Sequence, residues 1–342
     1  MLQFRDANID NWMLGSETDP PLTNAVLDFF NHHDDSQPFF LAVNYHNPHD
    51  ICFYARKDGW ASEEDSLLEI RYYGFDYKLP EVVSNHPSKF IDLPVLPDNH
   101  ELSIEEPEFI TDKRNHHKEY GLETHLAFNE FGELEWKGYL NAYYRLTEMV
   151  DAEIEQVLSA LEVNGYSDNT IIVFSSDHGD GAAAHKWAAK LSLFEESSNI
   201  PFIISYKNQM PSGIVDDRHL VSQIDILPTL CDYAGIEEHP KFTGKSLRPL
   251  FERETPEWRD FLIVELADFK PDRNRKGRMV RTVDYKYNLY SSGEHNEQFF
   301  NMNTDPGEMI NLADQQEYDA EIERHRSLLQ AWKNRTNDPF PY

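Results

Sequence analysis

The stretch SSDHGDGAAAHKWAAKL, residues 175–191, sets Asp177 beside His178 and follows them with His185 and Lys190. A carboxylate and an imidazole offer a divalent cation one hard oxygen and one nitrogen of intermediate softness. An ammonium and a second imidazole nearby supply positive charge for the oxygens of a tetrahedral anion and for a departing oxygen. The same residues have plain structural uses as well. Asp177 can cap the segment after it, His178 and His185 can be hydrogen-bonded surface residues, and Lys190 can be a solvated lysine. Two protein ligands are too few for a tight metal site, so further carboxylates would be needed. A second polar cluster, His46-Asn47-Pro48-His49-Asp50, follows the apolar run PFFLAVNY at 38–45. His49 is open to the same two readings as His185, because NPHD is a good turn sequence in its own right.

Both clusters leave the ends of strand-like runs, PFFLAVNY and IIVFSS (171–176). Ligands of open α/β sheets bind at the carboxyl ends of the strands. If these two strands are parallel, the clusters face one pocket, and a tight turn at Gly179 can bring Asp177 and His178 to one ion. The elements that must position them are legible as periodicity. Residues 22–31 have helical spacing. Leu140, Tyr143, Tyr144, Val150, Ile154, Val157, Leu158 and Leu161 recur at threes and fours, closed by Asn164-Gly165. PFIISY (201–206) reads as a buried strand like 171–176, and 219–235 as a helix. Residues 261–269, 277–292 and 298–308 alternate like a β-meander, and 317–335 is a final helix. Between 55 and 135 periodicity is poor and prolines are many, which predicts long ordered loops with short helical pieces. The division expected is an α/β domain over 1–250 and a smaller antiparallel sheet with a terminal helix over 251–342.

Composition narrows the function. The 342 residues are 40% apolar and 13% aromatic, enough for a large core. With 61 acidic and 31 basic residues the formal charge is −30, a field that repels nucleic acid and anionic membranes. A site for an anionic substrate must therefore carry its own positive charge. No run of eighteen apolar residues predicts a membrane span, and MLQFRDANIDNW lacks the basic and apolar regions of a signal peptide. An export signal, if there is one, is expected upstream. Cys52 and Cys231 form no CxxC pair and are expected to be buried thiols. Motifs of the GxSxG, P-loop, GxGxxG and HExxH types are absent.

In order along the chain, PFFLAVNYHNPHD, YLNAYYRLTEMVDAEIEQVLSALEVNGYSDNTIIVFSSDHGDG, AHKWAAKLSLFEESSNIPFIIS, VSQIDILPTLCDYAG with FTGKSLRPL, and NLYSSGEHNEQFFNMNTDPGEMINLA resemble a sulfatase of the alkaline-phosphatase-like superfamily. The resemblance implies an α/β fold with a mixed sheet flanked by helices, incomplete at the N-terminus, and a smaller C-terminal antiparallel sheet. It makes Asp177 and His178 metal ligands, Lys190 and His49 catalytic groups at the sulfate and leaving oxygen, and His185 a substrate-binding residue. The cofactor it implies is calcium, with manganese or another divalent ion admitted by His178, together with a formylglycine nucleophile. The partner implied is a sulfated small molecule or glycan. The family's paired aspartates on a first strand and its C/S-x-P-S-R motif are not in this sequence. The chain is accordingly expected to be the C-terminal portion of a sulfatase, inactive alone and prone to self-association through exposed sheet edges. A phosphodiesterase or phosphonate monoesterase of the same superfamily, and a non-catalytic module that binds sulfated glycans, are the rival expectations.

Overall fold

A computed structural model of the chain describes residues 14–54, 69–72, 75–78, 92–103, 105–115, 131–237, 241–252, 254, 256–267 and 275–341. It divides into two compact units. The first comprises Met1–His100, Asn115–Asp168 and Ala182–Ala189; the second comprises Glu101–Arg114, Asn169–Gly181 and Lys190–Tyr342.

The first unit is built on two helices, α1 (Gly15–His32) and α2 (Glu133–Val163), with a strand hairpin, β1 (Glu69–Tyr72) and β2 (Phe75–Lys78), paired antiparallel. Helix α1 begins well before the expected residue 22 and runs through Pro20 and Pro21. Its first N–H groups explain the early start. Asp50 accepts from Gly15 N and Ser16 N at 2.8 and 3.0 Å, which satisfies two of the donors a helix start leaves open. On α2, Trp136, Tyr139, Ala142 and Leu146 recur at threes and fours and bury against Leu14, Ile51, Ala183 and Ala188. Tyr144 and Leu158, predicted on the apolar stripe, are exposed instead. The run 38–45 forms no ladder among the described residues. Phe39, Leu41, Val43 and Tyr45 are half-buried and Phe40, Ala42 and Asn44 are exposed. That is the alternation of a strand, but a strand exists only through a hydrogen-bonded neighbour.

In the second unit β3 (Ile171–Ser175) pairs antiparallel with β4 (Phe202–Tyr206), from Ile171 opposite Tyr206 to Ser175 opposite Phe202. Neither is the fully buried strand expected, since Phe174 and Ile203 are exposed. The predicted helix at 219–235 starts later. Ser222 and Asp225 form a capping box that opens a 3₁₀ turn, and α3 (Ile226–Tyr233) follows. The predicted meander is present as β5 (Leu262–Ala267), β6 (Lys276–Arg281), β7 (Tyr285–Tyr290) and β8 (Glu297–Asn301), antiparallel in that order. One face of this sheet, with Val280, Tyr287, Leu289 and Phe299, packs on Ile322 and Leu329 of the terminal helix α4 (Asp319–Thr336). The opposite face of β7 and β8 carries Lys286, Asn288 and Gln298, and these are buried too. No helix of the described residues is long and apolar enough to cross a membrane.

Candidate functional site

The second unit brings Asp177, His178 and Lys190 together where β3 ends. The Nδ1 of His178 lies 2.8 Å from the carbonyl oxygen of Gly179. A carbonyl only accepts, so Nδ1 carries the proton and Nε2 presents a lone pair. Two groups converge on that lone pair. The Nζ of Lys190 donates to it at 2.9 Å, and Oδ2 of Asp177 stands 3.3 Å away. The Asp177 side chain is 85% exposed, so its second lone-pair side opens to solvent. Two donors at right angles on a cation, each at about 2.3 Å, stand about 3.3 Å apart. The spacing and chemistry of the Asp177–His178 pair therefore fit a divalent cation as two adjacent ligands.

This loop is held from behind. Gly179 N donates to Ser197 O at 3.0 Å, and a Cβ on Gly179 would sit 1.9 Å from the carbonyl oxygen of Glu196. Only glycine permits that approach. The helical turn Glu195–Ser198 is tied in turn to the C-terminal sheet. Glu195 N donates to Glu308 Oε2 at 2.6 Å. Lys286 places Nζ 2.8 Å from Glu308 Oε1 and 3.2 Å from Glu195 Oε1, and Arg281 Nε stands 3.5 Å from Glu195 Oε1. Burial pushes the Glu308 carboxyl up to about 7 against the opposing pull of Lys286. Burial also acts to raise Glu195, but Lys286 and Arg281 together hold it below the usual range. Sequence reading assigned these residues no part in the site. Glu308 was visible only as the last letter of DPGE. Lys286 sits on the face of β7 opposite Tyr285 and Tyr287, where alternation predicts solvent rather than a second buried face.

The other two predicted residues lie in the first unit. His49 is half-buried in the turn after Pro48, its ring centroid 4.7 Å from that of His46 and its Nδ1 3.8 Å from Sγ of Cys52. Two carboxylates clamp this turn to α1. Asp19 accepts from His46 N and Asn47 N at 2.8 and 3.0 Å, and Asp50 takes the helix start described above. Burial raises the Asp19 carboxyl against those two backbone donors. His185 is buried, 1% exposed, beside Asn99. Its backbone has φ of 51°, and Ala182, Ala183 and Lys186 also have positive φ, at 46°, 69° and 47°. Such non-glycine conformations cost about 1–3 kcal/mol each and persist where surrounding contacts fix them, typically at functional sites. Cys52 and Cys231 are half-buried rather than buried.

A sequence profile described as Sulfatase matches residues 3–236, and one described as N-sulphoglucosamine sulphohydrolase, C-terminal, matches residues 183–335. The chain is 31% identical over 317 residues to the Delta 4,5-hexuronate-2-O-sulfatase of Bacteroides thetaiotaomicron, covering 89% of this chain and 58% of that protein. Among solved structures it is similar to a 2-O GAG sulfatase, with a TM-score of 0.79 at 26% identity over 98% of this chain and 67% of that one. It shares the fold of a phosphonate monoester hydrolase of Agrobacterium radiobacter, with a TM-score of 0.70 at 20% identity over 94% of this chain and 62% of that one. The chain spans somewhat more than half the length of the curated relatives it matches. The profile over most of the chain and the relative aligned across nearly all of it agree with the resemblance read from the motifs, alkaline-phosphatase-like fold included: the chain belongs to the sulfatase family.

Proposed function

We propose that the chain carries part of the active site of a metal-dependent sulfuric ester hydrolase. The observation that supports this most is the convergence of Asp177, His178 and Lys190 on one point, in a chain of the sulfatase family. Asp177 and His178 would hold the divalent cation, calcium by preference and manganese admissibly, given one oxygen and one nitrogen donor. When bound, the cation supplies Lewis-acid polarisation of a sulfate oxygen. The chain's own residues would have these parts. Lys190 supplies positive charge for the sulfate and the leaving oxygen. In the net hydrolysis a water oxygen becomes bonded to sulfur as the S–O bond to the leaving group breaks; His49 would give its proton to the leaving oxygen and recover one from that water, and the products are an alcohol and hydrogen sulfate. His185 binds the sulfate. Neither cysteine is followed by x-Pro-Ser-Arg, so neither fits a formylglycine precursor and no step is assigned to that group. The substrate is a sulfated saccharide, which the name of the hexuronate sulfatase relative supports.

We also infer that residues 1–250 form the hydrolase domain and 251–342 its C-terminal subdomain, since β6 to β8 and α4 share a hydrophobic core of their own. Alone, the chain is expected to self-associate and to lack turnover. Phe40, Phe174 and Ile203, 72%, 40% and 58% exposed, support the first expectation. A monodisperse monomer by sedimentation would contradict it.

The test is hydrolysis of 4-nitrophenyl sulfate against bis(4-nitrophenyl) phosphate, by the chain and by the chain joined to a segment carrying paired aspartates and C/S-x-P-S-R. The sulfate ester should be the better substrate of the joined form. Lys190→Ala should cut its turnover by about 10²–10³, the usual effect of removing one preorganised charge. Preference for the diester would make the protein a phosphodiesterase, and sulfate binding without turnover in the joined form a binding module.

A further inference from the structure

The helical turn Glu195–Ser198 grips both segments that meet at the end of β3, and it does so through one residue. The carbonyl oxygen of Ser197 accepts from Gly179 N at 3.0 Å, which holds the loop of Asp177 and His178. The hydroxyl of the same Ser197 shares a hydrogen bond at 2.8 Å with the hydroxyl of Ser192, two positions after Lys190. Both serines are 6% exposed, so water does not readily replace a lost partner. Leu191, between Lys190 and Ser192, has φ of 74°, a left-handed backbone that a residue with a side chain keeps only where surrounding contacts fix it. Its carbonyl oxygen accepts from Lys113 Nζ at 3.3 Å. The turn itself is fixed from the side of the sheet, by the bond from Glu195 N to Glu308 and by the ion pair of Glu195 with Lys286. The Gly179 loop is tied to the turn by backbone and the Lys190 segment by a side chain.

We propose that Ser197 is a positioning residue which sets the separation of Lys190 from His178. Its carbonyl holds one segment and its hydroxyl the other, so the two stand at a fixed spacing and Lys190 Nζ reaches His178 Nε2 at 2.9 Å. Without the hydroxyl, residues 190–192 lose their tie to the turn while Gly179 keeps its own, and Lys190 draws away from His178. The hydroxyl thereby keeps a positive charge within reach of the oxygens of a sulfate held at the cation, at the cost of repelling the cation itself. That use rests on the reading of His178 as a cation ligand and of Lys190 as the charge for the sulfate. The coupling of Ser197 to the contact between Lys190 and His178 rests only on the hydrogen bonds.

The two are tested separately on the full chain by ¹⁵N NMR of the histidine side chains, with the His178 signals identified as those lost in His178→Gln. Without metal, the wild type and Lys190→Met give two reference shifts for Nε2, with and without the ammonium donor. Ser197→Ala and Ser192→Ala are each expected to move the Nε2 shift from the first toward the second. The double variant is expected to move it no further than the larger of the two, because both remove one bond. Should one serine variant fail to fold, the other decides, and a wild-type Nε2 shift in a serine variant that folds overturns the proposal. Binding of Mn²⁺ separates this role from general support of the loop. Moving the Lys190 charge from about 4 to about 8 Å from the cation halves their repulsion, so Ser197→Ala should bind Mn²⁺ about sixfold more tightly. In the Lys190→Met background the same substitution should change binding by less than about twofold. An equal loss of affinity in both backgrounds would make Ser197 a support of the His178 loop alone and overturns the proposal. If His178 responds to Mn²⁺ in no variant, the underlying reading fails and Ser197 leaves the reaction, whatever the metal-free shifts are.

Discussion

The ammonium of Lys190 donates to Nε2 of His178 at 2.9 Å, across twelve positions of sequence. The nitrogen it occupies is the one that His178 would offer to a cation, because Nδ1 is committed to Gly179 O. Lysine and metal therefore compete for one lone pair, and their positive charges repel at close range. On the function proposed above, Lys190 turns from His178 to the sulfate when the cation is bound.

Lys190→Met is expected to tighten binding of Mn²⁺ by about thirtyfold, the equivalent of the roughly 2 kcal/mol between a unit charge and a divalent ion some 4 Å apart in a largely aqueous setting. Isothermal titration of wild type and variant measures it. Weaker binding in the variant would show that Lys190 helps to build the cation site instead of opposing it.

Gly179→Ala should displace the loop that carries His178, since the added methyl meets the carbonyl of Glu196 at 1.9 Å and backbone cannot step aside cheaply. A loss of about 1–3 kcal/mol in urea unfolding is expected, with weaker Mn²⁺ binding alongside. Wild-type stability would mean that the approach of the two segments is loose in solution.

Glu308 gives a pH dependence of definite sign. Its carboxyl has the ordinary value of 4.5 when unfolded and about 7 when buried beside Lys286. Between those values the folded chain keeps a proton that the unfolded chain has lost, so this group's contribution falls as pH rises, by up to about 3 kcal/mol. Glu308→Gln removes that dependence while Lys286 keeps Glu195. The stability of wild type minus variant, from urea unfolding at pH 5 and pH 7.5, should shrink as pH rises. A difference that grows with pH would make Glu308 a carboxylate held ionised by Lys286.

Much of the fold could be read from periodicity because the meander and the two long helices follow local rules. Tyr285, Tyr287 and Leu289 alternate, and of the stripe read on α2 Leu140 and Leu161 are buried, although the face that packs is led by Trp136, Tyr139 and Leu146. The residues predicted at the end of β3 were legible as chemistry, a carboxylate, an imidazole and an ammonium in one short stretch. What supports them was not. Lys286 and Glu308 meet by tertiary packing of a polar sheet face that looks solvent-facing in sequence. Asn99 meets His185 across 86 positions through a backbone that no local pattern predicts. The apolar run 38–45 shows the opposite failure, since its strand pattern is real but pairing depends on a neighbour that local sequence does not supply.

The central claim is that Asp177 and His178 together hold a divalent cation, and paramagnetic broadening of the His178 side-chain signal by Mn²⁺ tests it most directly. The account predicts selective loss of the His178 signal at substoichiometric Mn²⁺, recovery on adding excess Ca²⁺, and at least tenfold weaker cation binding, read as the Mn²⁺ needed for the same broadening, in Asp177→Asn, a factor equivalent to about 1.4 kcal/mol. A His178 signal that survives stoichiometric Mn²⁺, or one broadened equally in Asp177→Asn, would contradict it.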